Sequence, residues 1–249
     1  MQKIKKAILI SVIFGCLFFL FGPEIVPTDF QPEEILNIAA DNDVIIIFNS
    51  GGWGDTPLEK AEDFYPIIEG IQQTLSDWGY QSIVIPYSRT KNTFWGKISS
   101  AREFFSFFDF SSGVLARELE SMVEDSPDKK IIIAGLSNGA VFTTETYNKI
   151  SNEVKDSFCV LSVGSPFWYQ TYPSEDILQL KSRADTLVRG EPKVLFSSLF
   201  KAPGRWLTAK LEGRNLTLGQ ALETPGHIYA WSSPEVRSEI VGFLENKLR

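Results

Sequence analysis

An α/β fold with a mainly parallel sheet follows from three features of this 249-residue chain. Short apolar runs rich in β-branched residues recur along it, segments of helical periodicity separate them, and runs such as KIIIA at 130–134 are apolar without alternation. Consecutive apolar residues mark a strand buried on both faces, the condition of a parallel sheet covered by helices on each side. Strands that alternate with helices are the βαβ pattern that builds such a sheet. With 43% hydrophobic and 13% aromatic residues, the chain has ample material for its core.

In chain order, Lys3, Lys5 and Lys6 precede an apolar run of 15 residues, 7–21. As a helix it spans about 22 Å, beyond most signal-peptide cores and short of the ~30 Å hydrocarbon layer. The stretch LFFLFGPEIVPTDF offers no pair of small residues for cleavage, so residues 1–22 are read as an uncleaved signal-anchor, with a cleaved signal peptide as the alternative. The lysines place that end in the cytoplasm and the rest outside it, anchored to the membrane, or secreted if cleavage occurs. A lipoprotein site at Cys16 is disfavoured by Phe14 and by the apolar residues that follow it.

Residues 23–42 form a linker with Pro23, Pro27 and Pro32, and a short helix is expected over 33–40. The remaining 43–249 are expected to be one α/β domain. Strands are predicted at 43–48 (DVIIIF), 82–86 (SIVIP), 130–134 (KIIIA), 158–163 (FCVLSV) and, more weakly, 177–181 (ILQLK). Helices are predicted at 58–78, 99–124 and 138–152, and at 234–248 with Val236, Ile240, Val241, Phe243 and Leu244 inward.

Charge and composition exclude several functions. The net charge is −7, and removing 1–22 takes away three lysines and no acid, leaving 21 basic against 31 acidic residues, a net −10. Nucleic acid requires a basic face that this chain lacks. One histidine, His227, and two cysteines, Cys16 and Cys159, are too few for a Cys/His metal site, so neither metal nor cofactor is expected. Cys159, between Phe158 and Val160, is expected in the core without a disulfide. The Asn215-Leu216-Thr217 sequon is treated as incidental.

The sharpest chemical signal is Gly135-Leu136-Ser137-Asn138-Gly139, which lies between a buried strand and a helix. In such a turn the two glycines remove Cβ atoms that would collide, and the serine is presented at the C-terminal edge of the sheet beside a helix N-terminus.

With this strand, G-x-S-x-G and helix, the chain resembles the α/β-hydrolase superfamily of esterases and lipase-like serine hydrolases. That resemblance implies the chain order nucleophile, acid, histidine. Ser137 matches the nucleophile. His227 is the sole histidine, follows it, and lies in a loop before the last helix, as the family's base does. Asp185 matches the acid, after the 177–181 strand and a short turn; Asp176 lies before that strand, and Glu191 and Glu223 are weaker substitutes. The implied oxyanion donors are the N–H of Asn138 and one from the loop Asn49-Ser50-Gly51-Gly52-Trp53-Gly54, either Gly52 or Trp53. Most relatives open this loop with His-Gly, where this chain has Ser50-Gly51. Only about twenty residues separate the apolar segment from the first strand, so the two antiparallel strands that usually open the fold have no room and about six strands are expected.

The resemblance implies cleavage of a small-molecule or lipid ester through an acyl-enzyme. Alternatives are an acyltransferase or thioesterase on the same residues, or a non-catalytic binding module of the same fold. Residues 93–110, with five phenylalanines between 104 and 110, are expected either to line an acyl pocket or to pack in the core. Phe167-Trp168-Tyr169-Gln170-Thr171-Tyr172 is a second candidate wall, and residues 194–213 receive no role.

Overall fold

The computed structural model describes residues 30–62, 64–91, 93–170, 174–182, 184–191, 197, 201, 204–205, 207–209, 211–212, 226–227 and 229–249. Five strands, all parallel, form one sheet: β1 (Val44–Asn49), β2 (Ser82–Pro86), β3 (Lys130–Leu136), β4 (Phe158–Val163) and β5 (Ile177–Leu180), in the order β2-β1-β3-β4-β5. Each corresponds to one of the five apolar runs. Among the described residues the sheet thus has five strands, against the expected count of about six. Among those residues, the short helix α1 (Pro32–Ile38) precedes β1.

Both faces of the sheet are covered because β1, β3 and β4 are buried along almost their whole length. On one face, Ile45, Ile47, Ile131, Ile133 and Val160 meet α1, α4 (Asp109–Asp125) and α5 (Asn138–Lys149) through Ile35, Leu115, Leu119, Val141 and Phe142. On the other, Val44, Ile46, Ile132 and Leu161 meet α2 (Tyr65–Asp77) and α7 (Pro234–Leu248) through Ile67, Ile71, Leu75, Ile240 and Leu244. Val236 and Phe243 pack against that face partly buried, whereas Val241 is half-buried beside it.

The expected 58–78 helix begins later, at Tyr65, with Pro66 in its first turn; a 3₁₀ turn, Leu58–Lys60, precedes it. Proline supplies no N–H and suits the start of a helix, not its interior. The expected 99–124 helix is two, α3 (Phe94–Phe105) and α4, broken where Phe107 and Phe108 take φ of 53° and 59°. The buried carboxylate of Glu103 accepts from the N–H and hydroxyl of Ser111, capping α4 from the end of α3. Helix α5 ends at Lys149, because Ile150 turns extended.

The connection after β1 leads to α2 on one face, and that after β3 leads to α5 on the opposite face. The loops leaving these adjacent strands therefore diverge and open a crevice beyond their C-terminal ends, the usual ligand position in such sheets. Among the described residues, no helix is long and apolar enough to cross a membrane. The 1–22 segment, Cys16 and most of 194–213 lie outside those residues.

Candidate active site

Ser137 occupies the β3–α5 turn at φ 55° and ψ −116°, a region that non-glycine residues avoid at a cost of about 1–3 kcal/mol. The flanking glycines make this turn possible by close approach. A Cβ on Gly135 would lie 2.3 Å from the Gly139 carbonyl oxygen, and one on Gly139 would lie 2.4 Å from that of Asn49. Ser137 N–H donates to the Val163 carbonyl at 2.8 Å, which ties the turn to the end of β4.

Asp185 follows β5 at the same edge of the sheet and is fully buried. Its Oδ1 caps α6 (Thr186–Arg189), accepting from the N–H groups of Leu187 at 2.9 Å and Val188 at 3.3 Å. Its Oδ2 accepts from the Tyr229 hydroxyl at 2.8 Å and lies 2.7 Å from His227 Nδ1. Burial alone would raise the Asp185 pKa; the bond to His227, its charge, the Tyr229 hydroxyl and the Val188 N–H outweigh burial and hold it below the ordinary carboxylate range. Burial, with the charge of Asp185, pushes the Tyr229 phenol up, so this hydroxyl remains a donor.

The imidazole of His227 rests on Gly164, where a Cβ would come within 2.7 Å of its Cε1. Gly164 directly follows the residue that accepts from Ser137 N–H, so the ring lies over the end of β4 beside the β3–α5 turn. The structure thus joins Asp185 to His227 directly and links Ser137 to them through backbone; among the described residues no hydrogen bond connects the Ser137 hydroxyl to the imidazole. Such contacts commonly tighten when substrate binds. Asp176 lies at the opposite end of the sheet, where it bonds Tyr147 at 2.5 Å and Lys247 at 2.6 Å. Glu191 pairs with Arg189, and Glu223 lies outside the described residues.

Asn138 Nδ2 donates to the Gly52 carbonyl at 3.2 Å, holding the β1 loop against the turn. Of the loop's glycines, Gly51 comes nearest Ser137, since a Cβ there would lie 3.7 Å from Ser137 Cβ. Among the described residues, the N–H groups of Gly51, Gly52 and Trp53 have no acceptor. Gly52 and Trp53, the donors expected from the sequence, are among these, and Gly51 is a third N–H of the same loop in the same condition. Sequence reasoning passed over Tyr229, although an aromatic hydroxyl two residues after the sole histidine was a visible signal.

Aromatic residues border this edge. Phe167 packs on Gly190 and its N–H donates to Leu187 O at 3.0 Å, so it abuts the Asp185 segment. Trp168 meets Phe104 at 5.9 Å between ring centroids. Phe105, Phe107, Phe110, Phe167 and Trp168 are exposed, whereas Phe108 is buried against Phe142. The phenylalanine-rich segment therefore divides between surface and core. Tyr169 is buried and donates to Glu145; Thr171 and Tyr172 lie outside the described residues.

No protein-family model matches the chain, and no curated protein matches it. Among solved structures it is similar to Trichoderma reesei cutinase in complex with a C11Y4 phosphonate inhibitor, with a TM-score of 0.51 and 12% sequence identity, over 86% of this chain and 85% of that one. At that identity the likeness concerns the backbone. Taken with the five-stranded parallel sheet, it establishes that this chain has an α/β-hydrolase-like fold.

Proposed function

We propose that the protein is a serine hydrolase that cleaves a carboxylic ester through an acyl-enzyme, with Ser137 as nucleophile, His227 as base and Asp185 as its acid partner. The observation that carries this reading is the 2.7 Å contact between buried Asp185 and the sole histidine, at the sheet edge that presents Ser137 in a strained strand-to-helix turn. A serine hydroxyl attacks poorly until a base accepts its proton. With Nδ1–H donating to Asp185, His227 Nε2 is left to accept that proton during attack and return it to the departing alkoxide. Asp185 holds the tautomer and stabilises the transient imidazolium.

The negative charge on the tetrahedral oxygen falls to backbone donors, the N–H of Asn138 and one from the loop that contains Gly52 and Trp53, where the N–H groups of Gly51, Gly52 and Trp53 have no acceptor among the described residues. A water then repeats the sequence and releases the acid. The exposed aromatics beside the Asp185 segment support an apolar acyl group, of a lipid or a smaller ester. The lysine-flanked apolar run at 7–21 supports a membrane anchor with the hydrolase domain outside the cytoplasm. The test is Ser137→Ala in purified protein, with a p-nitrophenyl ester series of increasing chain length. Turnover is expected to vanish at every length; undiminished hydrolysis would refute the assignment.

A further inference from the structure

Three residues beyond β2, the guanidinium of Arg89 is sealed inside the protein, 5% exposed, over the rings of Phe108 at 4.8 Å and Phe142 at 5.4 Å. Among the described residues its Nε and Nη1 have no hydrogen-bond partner. Burial brings its pKa down to about 10, with the neighbouring Tyr87 and Asp55 acting the other way. A buried charge so sparsely bonded is costly, and what it does bond therefore carries information.

Nη2 donates to the Ser50 carbonyl oxygen at 2.6 Å. That carbonyl and the Gly51 N–H are opposite ends of one planar trans peptide, so a cation on the oxygen both fixes the plane and polarises the N–H. The carbonyls from Ser50 to Gly54 are all engaged. Gly51 O accepts from Gly54 N–H at 3.1 Å, Gly52 O from Asn138, Trp53 O from Thr90 Oγ1 at 2.5 Å, and Gly54 O from Arg89 N–H at 2.9 Å. With the Ser50 carbonyl held from inside the protein, the Gly51 N–H at the opposite end of that trans peptide is directed away from Arg89, and a Cβ on Gly51 would lie 3.7 Å from Ser137 Cβ.

We infer that Arg89 is the positioning residue of the oxyanion site. Its guanidinium orients and polarises the Ser50–Gly51 peptide, so that Gly51 N–H partners Asn138 N–H where the charge develops. This inference rests on the hydrolase reading of Ser137. As Ser137 Oγ bonds the ester carbonyl carbon, the C=O π pair moves onto oxygen and is met by these donors; Arg89 transfers no proton and touches no substrate.

The test compares Arg89→Met, which fits between the same rings without charge, with Arg89→Lys. Removing a whole oxyanion donor costs about 10²–10³ in kcat, so removing its polarisation is expected to cost about 10- to 100-fold, with KM within about twofold. Arg89→Lys should recover part of the loss. In ¹H–¹⁵N spectra the Gly51 amide proton should move upfield in Arg89→Met while Gly79, in a distant turn, stays in place. If Arg89→Met fails to fold, Gly54→Ala provides the second route. Gly54 has φ 77°, and a Cβ there would lie 2.5 Å from Arg89 Nε, displacing the guanidinium while retaining it, so the same kcat-selective loss is expected. A folded Arg89→Met with kcat within about threefold of wild type, a loss confined to KM, or an unmoved Gly51 amide would overturn the inference. The two readings fail separately: an inactive Ser137→Ala beside a fully active Arg89→Met sinks only this one, whereas an active Ser137→Ala sinks the hydrolase reading.

Discussion

Replacing Asp185 by asparagine removes a charge while preserving shape, and the geometry dictates the consequence. The carboxylate receives four donors, two backbone N–H groups on Oδ1 and His227 with Tyr229 on Oδ2. An asparagine retains the helix cap only by placing its oxygen at the Oδ1 position, which puts its NH₂ where Oδ2 was, 2.7 Å from His227 Nδ1. Nδ1 must then accept, the ring proton moves to Nε2, and the imidazole can no longer take the proton of Ser137. The flipped amide would instead aim two donors at the Leu187 and Val188 N–H groups and leave buried donors unmatched. The expected loss in kcat is about 10⁴-fold, or about 5 kcal/mol of transition-state stabilisation. Stability should fall far less, by about 1–2 kcal/mol, because asparagine caps helices nearly as well and the Tyr229 hydroxyl can rotate to accept. Ester turnover and thermal unfolding measured on the same preparation separate the two effects. A folded Asp185→Asn that keeps more than about a tenth of wild-type kcat would refute the tautomer argument.

Tyr229→Phe removes one donor from Asp185, whose folded-state pKa lies below its ordinary value. A carboxylate of that kind contributes stability above its unfolded pKa, and that stability is lost as pH falls through the folded one. With its folded pKa moved upward, the variant should begin acid unfolding at a higher pH than wild type in circular dichroism titrations; an unchanged or lower midpoint would count against the bond. Cys159 is buried in β4 with its thiol pushed up to about 12 by burial, so thiol reagents should leave the peptide containing it unmodified in the native protein and label it fully in denaturant. Native-state labelling there would contradict the placement of β4.

The sheet was readable because parallel strands buried on both faces write themselves as continuous apolar runs. Ser137 was readable because only Gly135 and Gly139 fit so tight a turn, and the pairing of Asp185 with His227 because the chain has a single imidazole and an aspartate one turn past β5. The missed features depend on contacts distant in sequence. The apolar periodicity runs on across Phe107 and Phe108, while the helix break there is imposed by a cap from Glu103. How the peptides of the β1 loop are turned depends on donors to its carbonyls from Arg89, Thr90 and Asn138, 37 or more residues away, so the sequence leaves the loop's donor open between Gly52 and Trp53. Tyr229 stands two residues from the sole histidine, but its bond to Asp185 spans 44 residues and shows only in the fold.

The most direct test of Ser137 as an activated nucleophile is covalent capture. The purified full-length protein would be incubated with a fluorophosphonate, digested and mapped by mass spectrometry, alongside Ser137→Ala and His227→Ala. A stoichiometric adduct on Ser137, absent in Ser137→Ala and strongly slowed in His227→Ala, is the predicted result. An unlabelled wild-type protein, or an adduct on any other serine, would contradict it.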